Sequence, residues 1–127
     1  MRYMMLVRHG NQGPAPQAFN DQMAKLSEDA IKSGQFVAGG ALGGPAQSAL
    51  IRLANGKVKV IDGPFSEAKE VIGGFAILEF KTKEEALEST VSFMELHNKY
   101  WPGWQGETEM RQLLGPEDLV PHKQQGQ

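Results

Sequence analysis

Two uninterrupted apolar runs, Tyr3 to Val7 and Phe75 to Leu78, constrain this chain more than any other feature in it. Each is short and bounded by charged or glycine-rich segments, which favours strands over helices. A strand sends alternate side chains to opposite faces, so a run without polar interruption offers apolar groups both ways. Both ribbons therefore need cover on two sides.

Only two segments carry helical spacing. Phe19, Met23, Leu26 and Ala30 line one face of a helix from about residue 16 to about 33, with Pro16 suited to the first turn and Gly34 to the C′ stop. Thr82-Lys83-Glu84-Glu85 fits a capping box ahead of Leu87, Val91 and Met94, giving a helix from about 83 to about 99. Between them, Gln35 to Leu42 reads as a weak strand broken by Gly39-Gly40, whose glycines suit a bulge or a close strand approach. Ala49, Ile51 and Leu53 alternate, as do Val58 and Val60, around Asn55-Gly56, the pair that a type I′ hairpin turn prefers. That register sets Leu53 opposite Val58 and Ile51 opposite Val60, and places Arg52 against Lys59. Glu107 to Leu113 reads as a final edge strand.

The pattern, written β-α-β-β-β-α-β, predicts an α+β sandwich with both helices on one face of an antiparallel sheet. Two helices cover one face of the apolar ribbons. The other face is expected to pack against a second copy, making a homodimer. With 127 residues the chain is expected to hold one domain over 1–115 and a loose tail over 116–127. Thirteen Lys and Arg against fifteen Asp and Glu, a net charge of -2, give no electrostatic footprint for direct nucleic-acid or anionic-membrane binding. The absence of cysteine excludes a disulfide framework, a thiolate nucleophile and Cys-ligated zinc. The apolar stretch at the N-terminus is too short for a signal peptide or a membrane span, so a cytoplasmic location is expected.

Chemistry is concentrated between residues 60 and 74, where Asp62, Glu67, Lys69 and Glu70 lie close together in a strand-to-strand loop. Asp-Gly-Pro at a strand end makes a defined turn, since Pro fixes its own φ and restricts the residue before it. Phe65 is placed to plug the loop into the core. A carboxylate held beside an apolar wall has its pKa raised and can serve as a general base, whereas the structural reading has Asp62 bonding its own turn amides and Lys69 pairing with a nearby glutamate.

Asp62-Gly63-Pro64-Phe65-Ser66-Glu67-Ala68-Lys69-Glu70, followed by Gly73-Gly74-Phe75, resembles the signature of the DGPF family of YCII-related proteins. The resemblance runs from Met1-Arg2-Tyr3-Met4-Met5-Leu6 through Gly39-Gly40 to Glu109-Met110-Arg111-Gln112. It implies a ferredoxin-like, dimeric α/β barrel, with Asp62 as the motif aspartate. Related proteins of the group carry a His/Asp pair in a cleft, and some members occur with sigma-factor-like regulators.

Three histidines are available to partner Asp62. His122 lies in the tail. His9 follows the first strand, either at a cleft mouth or as a solvated loop residue. His97, near the end of the second helix, is read either as a cation suited to the helix C-terminus or as part of a polar and aromatic rim with Tyr100 and Trp101. Trp101 and Trp104 flank Pro102-Gly103 and either stack a ligand or brace the loop. The histidines lack the tight spacing of a metal site, and neither Gly39-Gly40 nor Gly43-Gly44 has the pattern of a phosphate or dinucleotide loop, so no metal and no cofactor are expected. The functional expectation is an acid/base enzyme or small-molecule pocket, with Asp62 and His97 catalytic and His9, Phe65, Glu67, Lys69 and Trp101 binding ligand. The competing expectation is a non-catalytic regulatory or structural dimer associated with a sigma-like factor.

Overall fold

A computed structural model describes residues 1–9, 13–62 and 71–119. Strand β1 (Arg2–His9) leads to helix α1 (Gln17–Lys32) and strand β2 (Phe36–Ala41). Strands β3 (Ala49–Ala54) and β4 (Lys57–Asp62) follow, then β5 (Val71–Glu79), α2 (Lys83–Tyr100) and β6 (Gly106–Gln112). Four strands thus separate the helices, matching the segments read one by one (Gln35 to Leu42, the two hairpin arms and the Phe75 run), whereas the written β-α-β-β-β-α-β pattern has one too few.

Four strands form one antiparallel sheet in the order β2-β5-β1-β6, an α+β arrangement compatible with a ferredoxin-like fold. The β3-β4 hairpin forms a second sheet of its own instead of joining the first. Its register is the expected one, Leu53 to Val58, Ile51 to Val60 and Arg52 to Lys59, and Asn55 and Gly56 both take positive φ, 53° and 73°.

Local chemistry sets the helix boundaries. Pro16 precedes the first turn of α1, and at its other end Gly34 (φ 78°) reverses the chain. The Gly34 amide donates to the Ile31 carbonyl and the Gln35 amide to that of Ala30, the paired bonds of a Schellman motif. At the start of α2 the Thr82 hydroxyl accepts from the Glu85 amide at 3.1 Å. Among the described residues the reciprocal bond from Glu85 is not formed, so only half of the capping box is present.

Tyr3, Met5, Phe80 and Ala86 make the buried core, with Leu78 and Met110 packed against it. Register assigns Tyr3, Met5, Val7 and His9 to the face that both helices cover. Thr90 of α2 reaches Met5 Sδ at 3.6 Å and bonds back to the Ala86 carbonyl at 2.8 Å. Met4, Leu6 and Ile77 point to the opposite face and are half-buried in the single chain. Charged side chains border them: Arg8 meets Glu109 at 2.7 Å, and Arg111 meets the same carboxylate at 3.5 Å. No helix among the described residues is long and apolar enough to cross a membrane.

Strand β2 is drawn tightly onto β5. A Cβ at Gly39 would stand 2.8 Å from the Phe75 carbonyl oxygen, and the ladder shifts register between Phe36 and Ala38. The close-approach reading of the glycine pair therefore holds, whereas the bulge falls earlier, at Val37, and the glycines themselves pair in regular register. Beyond β6, Pro116–Leu119 form a short 3-10 turn with the Gly115 amide bonded to Asp118 Oδ2 at 2.8 Å, so the beginning of the expected tail is ordered locally.

Candidate functional site

Between the helices and the sheet lies a cavity of about 590 Å³, in the size range of small-molecule sites. Phe19 and Met23 of α1, Phe93 and His97 of α2, and Val7 and His9 of β1 contribute to its wall, together with Trp101 and Trp104. No Lys, Arg, Asp or Glu side chain lines it among the described residues. The polar side chains in its wall are two imidazoles, the two tryptophan indoles with their N–H donors, the Gln35 amide and the hydroxyls of Ser27, Ser89 and Thr90.

His97 is the one polar residue buried among the described residues, at 4% exposure. Helical spacing puts it one turn beyond Phe93, whose carbonyl lies 3.0 Å from Nδ1. A carbonyl oxygen only accepts, so Nδ1 carries the proton and Nε2 of the neutral ring keeps its lone pair. The ring sits among aromatics: centroids lie 4.2 Å away at Trp104, 4.6 Å at Phe19 and 4.7 Å at Phe93, and Trp101 stacks at 6.5 Å. Burial lowers its pKa from the ordinary 6.5 by penalising the imidazolium. The Phe93 carbonyl opposes that shift, and the charge of His9 adds to it. At neutral pH the group is an uncharged base.

The turn after α2 holds both tryptophans in place. The Trp101 amide donates to the His97 carbonyl at 2.9 Å, the Trp104 amide to that of Trp101 at 3.0 Å, and Gly103 takes a φ of 83°. Trp101 and Trp104 thus brace the loop and wall the cavity together. Trp104 also approaches His9, with ring centroids 6.3 Å apart.

His9, His97 and Trp101, chosen from the sequence as site residues, meet at one cavity. His9 ends β1 and is half-buried, the cleft-mouth reading of that residue and not the solvated one. Tyr100 does not line the cavity; its ring lies 5.3 Å from Lys99 Nζ instead. Asp62 is the last residue of β4, and its side chain, like Phe65, Glu67 and Lys69, lies outside what the structure describes. So does His122. The motif segment leads directly into Val71, which pairs with His9. Phe19 and Phe93 are not among the residues the sequence marks for the site, and Trp104 enters there only as either stacking a ligand or bracing the loop. The four-residue step from Phe93 to His97 was the available signal, but an aromatic at that spacing reads equally as core. No group of three potential metal-ligating side chains converges among the described residues.

The YCII-related domain matches residues 1–92 of this chain. The chain belongs to the YCII-related family. Asp-Gly-Pro-Phe at residues 62–65 is that family's motif. No curated protein matches the chain. The YCII-related match takes in β1 with His9, α1 with Phe19, and the motif, and it stops inside α2 one residue before Phe93. His97, Trp101 and Trp104 therefore enter the site on the geometry of this chain alone.

Proposed function

We propose that this YCII-related protein is a small-molecule-binding, enzyme-like homodimer in which each subunit's helix-side cavity takes an uncharged or weakly acidic ligand. The observation that carries this reading is the His97 ring. It is a neutral imidazole whose Nδ1 is committed to a backbone carbonyl, in an aromatic cavity that presents no charged carboxylate or ammonium among the described residues. A lone pair kept dry in this way suits proton abstraction from, or a hydrogen bond to, a ligand hydroxyl or activated C–H. Phe19, Phe93, Trp101 and Trp104 supply flat apolar walls for the rest of the ligand.

In this proposal Asp62 is the second acid/base group, His9 and Trp101 contact the ligand, and Phe65, Glu67 and Lys69 border it from the motif loop. What supports their inclusion is the chain path, which carries the motif from the end of β4 to Val71 beside His9. The test is ligand-detected NMR with a library of neutral and weakly acidic aromatic fragments, followed by the indole N–H signals of Trp101 and Trp104. Binders are expected to shift both indoles, and His97→Ala and Asp62→Asn are expected to lose the response, with the melting temperature of Asp62→Asn near that of the parent. A library that leaves both indoles unmoved, or an Asp62→Asn chain that does not fold, overturns the corresponding part.

The homodimer of the proposal packs sheet against sheet in a barrel-like arrangement. Its support is the apolar set Met4, Leu6 and Ile77 on the face without helices, and the hairpin face bearing Ile51, Leu53, Val58 and Val60. Those four side chains are 63–72% exposed in the single chain. An exposed aliphatic patch of that kind marks an interaction surface.

A further inference from the structure

Gly73 has a feature that the DGPF motif does not account for. Strand β5 pairs Gly74 with Val7 and Ile72 with Arg8, so Gly73 is an extra residue in the ladder. Its φ is not positive, and an L side chain suits its backbone. What forbids one is space: a Cβ there would stand 2.6 Å from Cδ2 of His9 and closer still to Nε2 of the same ring. The backbone cannot easily give way, because the Gly73 carbonyl accepts the Leu42 amide at 3.0 Å from the β2 side. The glycine and the imidazole both line the cavity. Gly106 of β6 plays a similar part beneath Trp104, where a Cβ would stand 2.7 Å from Cζ2, but there it would also meet the Arg8 carbonyl. Gly73, which meets only the end of a rotatable side chain, is the cleaner position.

We propose that Gly73 is a positioning residue of the cavity: the bulge it occupies is the seat on which the His9 imidazole lies, holding that ring at the rim of the site that His97 closes. The inference deepens the proposed function and rests on the same cavity. An added methyl displaces His9 and leaves the strand paired, because the side chain can rotate and the bulge is held from β2. His97 reports the displacement, since His9 is the charged group that acts on it. The neighbours on α1, α2 and the following turn face it with the uncharged rings of Phe19, Phe93, Trp101 and Trp104.

The experiment is a double-mutant cycle of Gly73→Ala and His9→Ala, read by imidazole NMR titration of His97 and by thermal unfolding. His9→Ala is expected to raise the His97 titration midpoint by removing a like charge. Gly73→Ala is expected to raise it in the same direction, and the double variant to match His9→Ala alone. A Gly73→Ala chain whose His97 titrates as in the parent overturns the inference, as does one that shifts His97 equally whether residue 9 is His or Ala. Should Gly73→Ala fail to fold, the double variant decides. Recovery of folding supports the seat, and continued unfolding assigns the glycine another role. In parallel, the neutral probe N-phenyl-1-naphthylamine is titrated into the parent protein. Failure of the parent to take it up counts against the ligand reading of the cavity, while the His97 titrations still judge the seat.

Discussion

His97 illustrates how one hydrogen bond and a set of aromatic neighbours convert an ordinary side chain into a candidate base. With Nδ1 bonded to Phe93 and the ring buried, protonation in the folded state is disfavoured relative to the unfolded chain. The folded pKa lies below the ordinary 6.5, so as the pH falls through 6.5 the unfolded state takes the proton first. The associated stability is complete above that pH and is lost as the pH falls toward the folded pKa, with a limiting slope of ~1.4 kcal/mol per pH unit for one proton. Urea unfolding at pH 5 to 8 is expected to show this decline, and His97→Phe, which keeps a ring of similar character in the same box, is expected to flatten it. An unchanged pH profile in His97→Phe assigns the decline to another group. The residue was visible in the sequence, but its burial was not. Helix-end position suits either a cation at the C-terminus or a polar and aromatic rim, and only the convergence of α1 and the tryptophan turn removes the ring from water.

At the scale of elements, boundaries followed from short-range chemistry. Gly34 ends α1 because its left-handed φ costs a residue without Cβ nothing; in the hairpin turn Gly56 has the same reason, while Asn55 is a residue type whose short polar side chain tolerates that region. Thr82 begins α2 through a single hydroxyl-to-amide bond, so Thr82→Ala is expected to lose ~1 kcal/mol of stability in urea titration. A loss near zero would mean that the first turn is held by packing alone. Where elements pair was much less legible. The element pattern predicts a single antiparallel sheet, yet β5 fills the place beside β2 and leaves β3-β4 as a separate sheet. Strand choice depends on long-range pairing, which alternation along one segment does not encode.

At the scale of the whole molecule, the described residues present two apolar surfaces, a half-buried one on the sheet and an exposed one on the hairpin. A two-stranded hairpin is marginal on its own, so burial of Ile51, Leu53, Val58 and Val60 against a second copy is expected to stabilise it. Leu53→Asp is expected to shift sedimentation from dimer toward monomer. A parent protein that already sediments as a folded monomer at micromolar concentration removes the dimer. The α+β class, both helices, the hairpin register, the family motif and the choice of His9, His97 and Trp101 were determined by the sequence itself. Each depends on periodicity, on a turn residue's allowed φ, or on a run of residue types within a few positions. The tertiary structure alone decided that these three residues share one cavity, that Phe19 and Trp104 join them, and that the His9 ring lies against Gly73. Those facts depend on which strands become neighbours and how closely, distances set by packing between segments far apart in the chain.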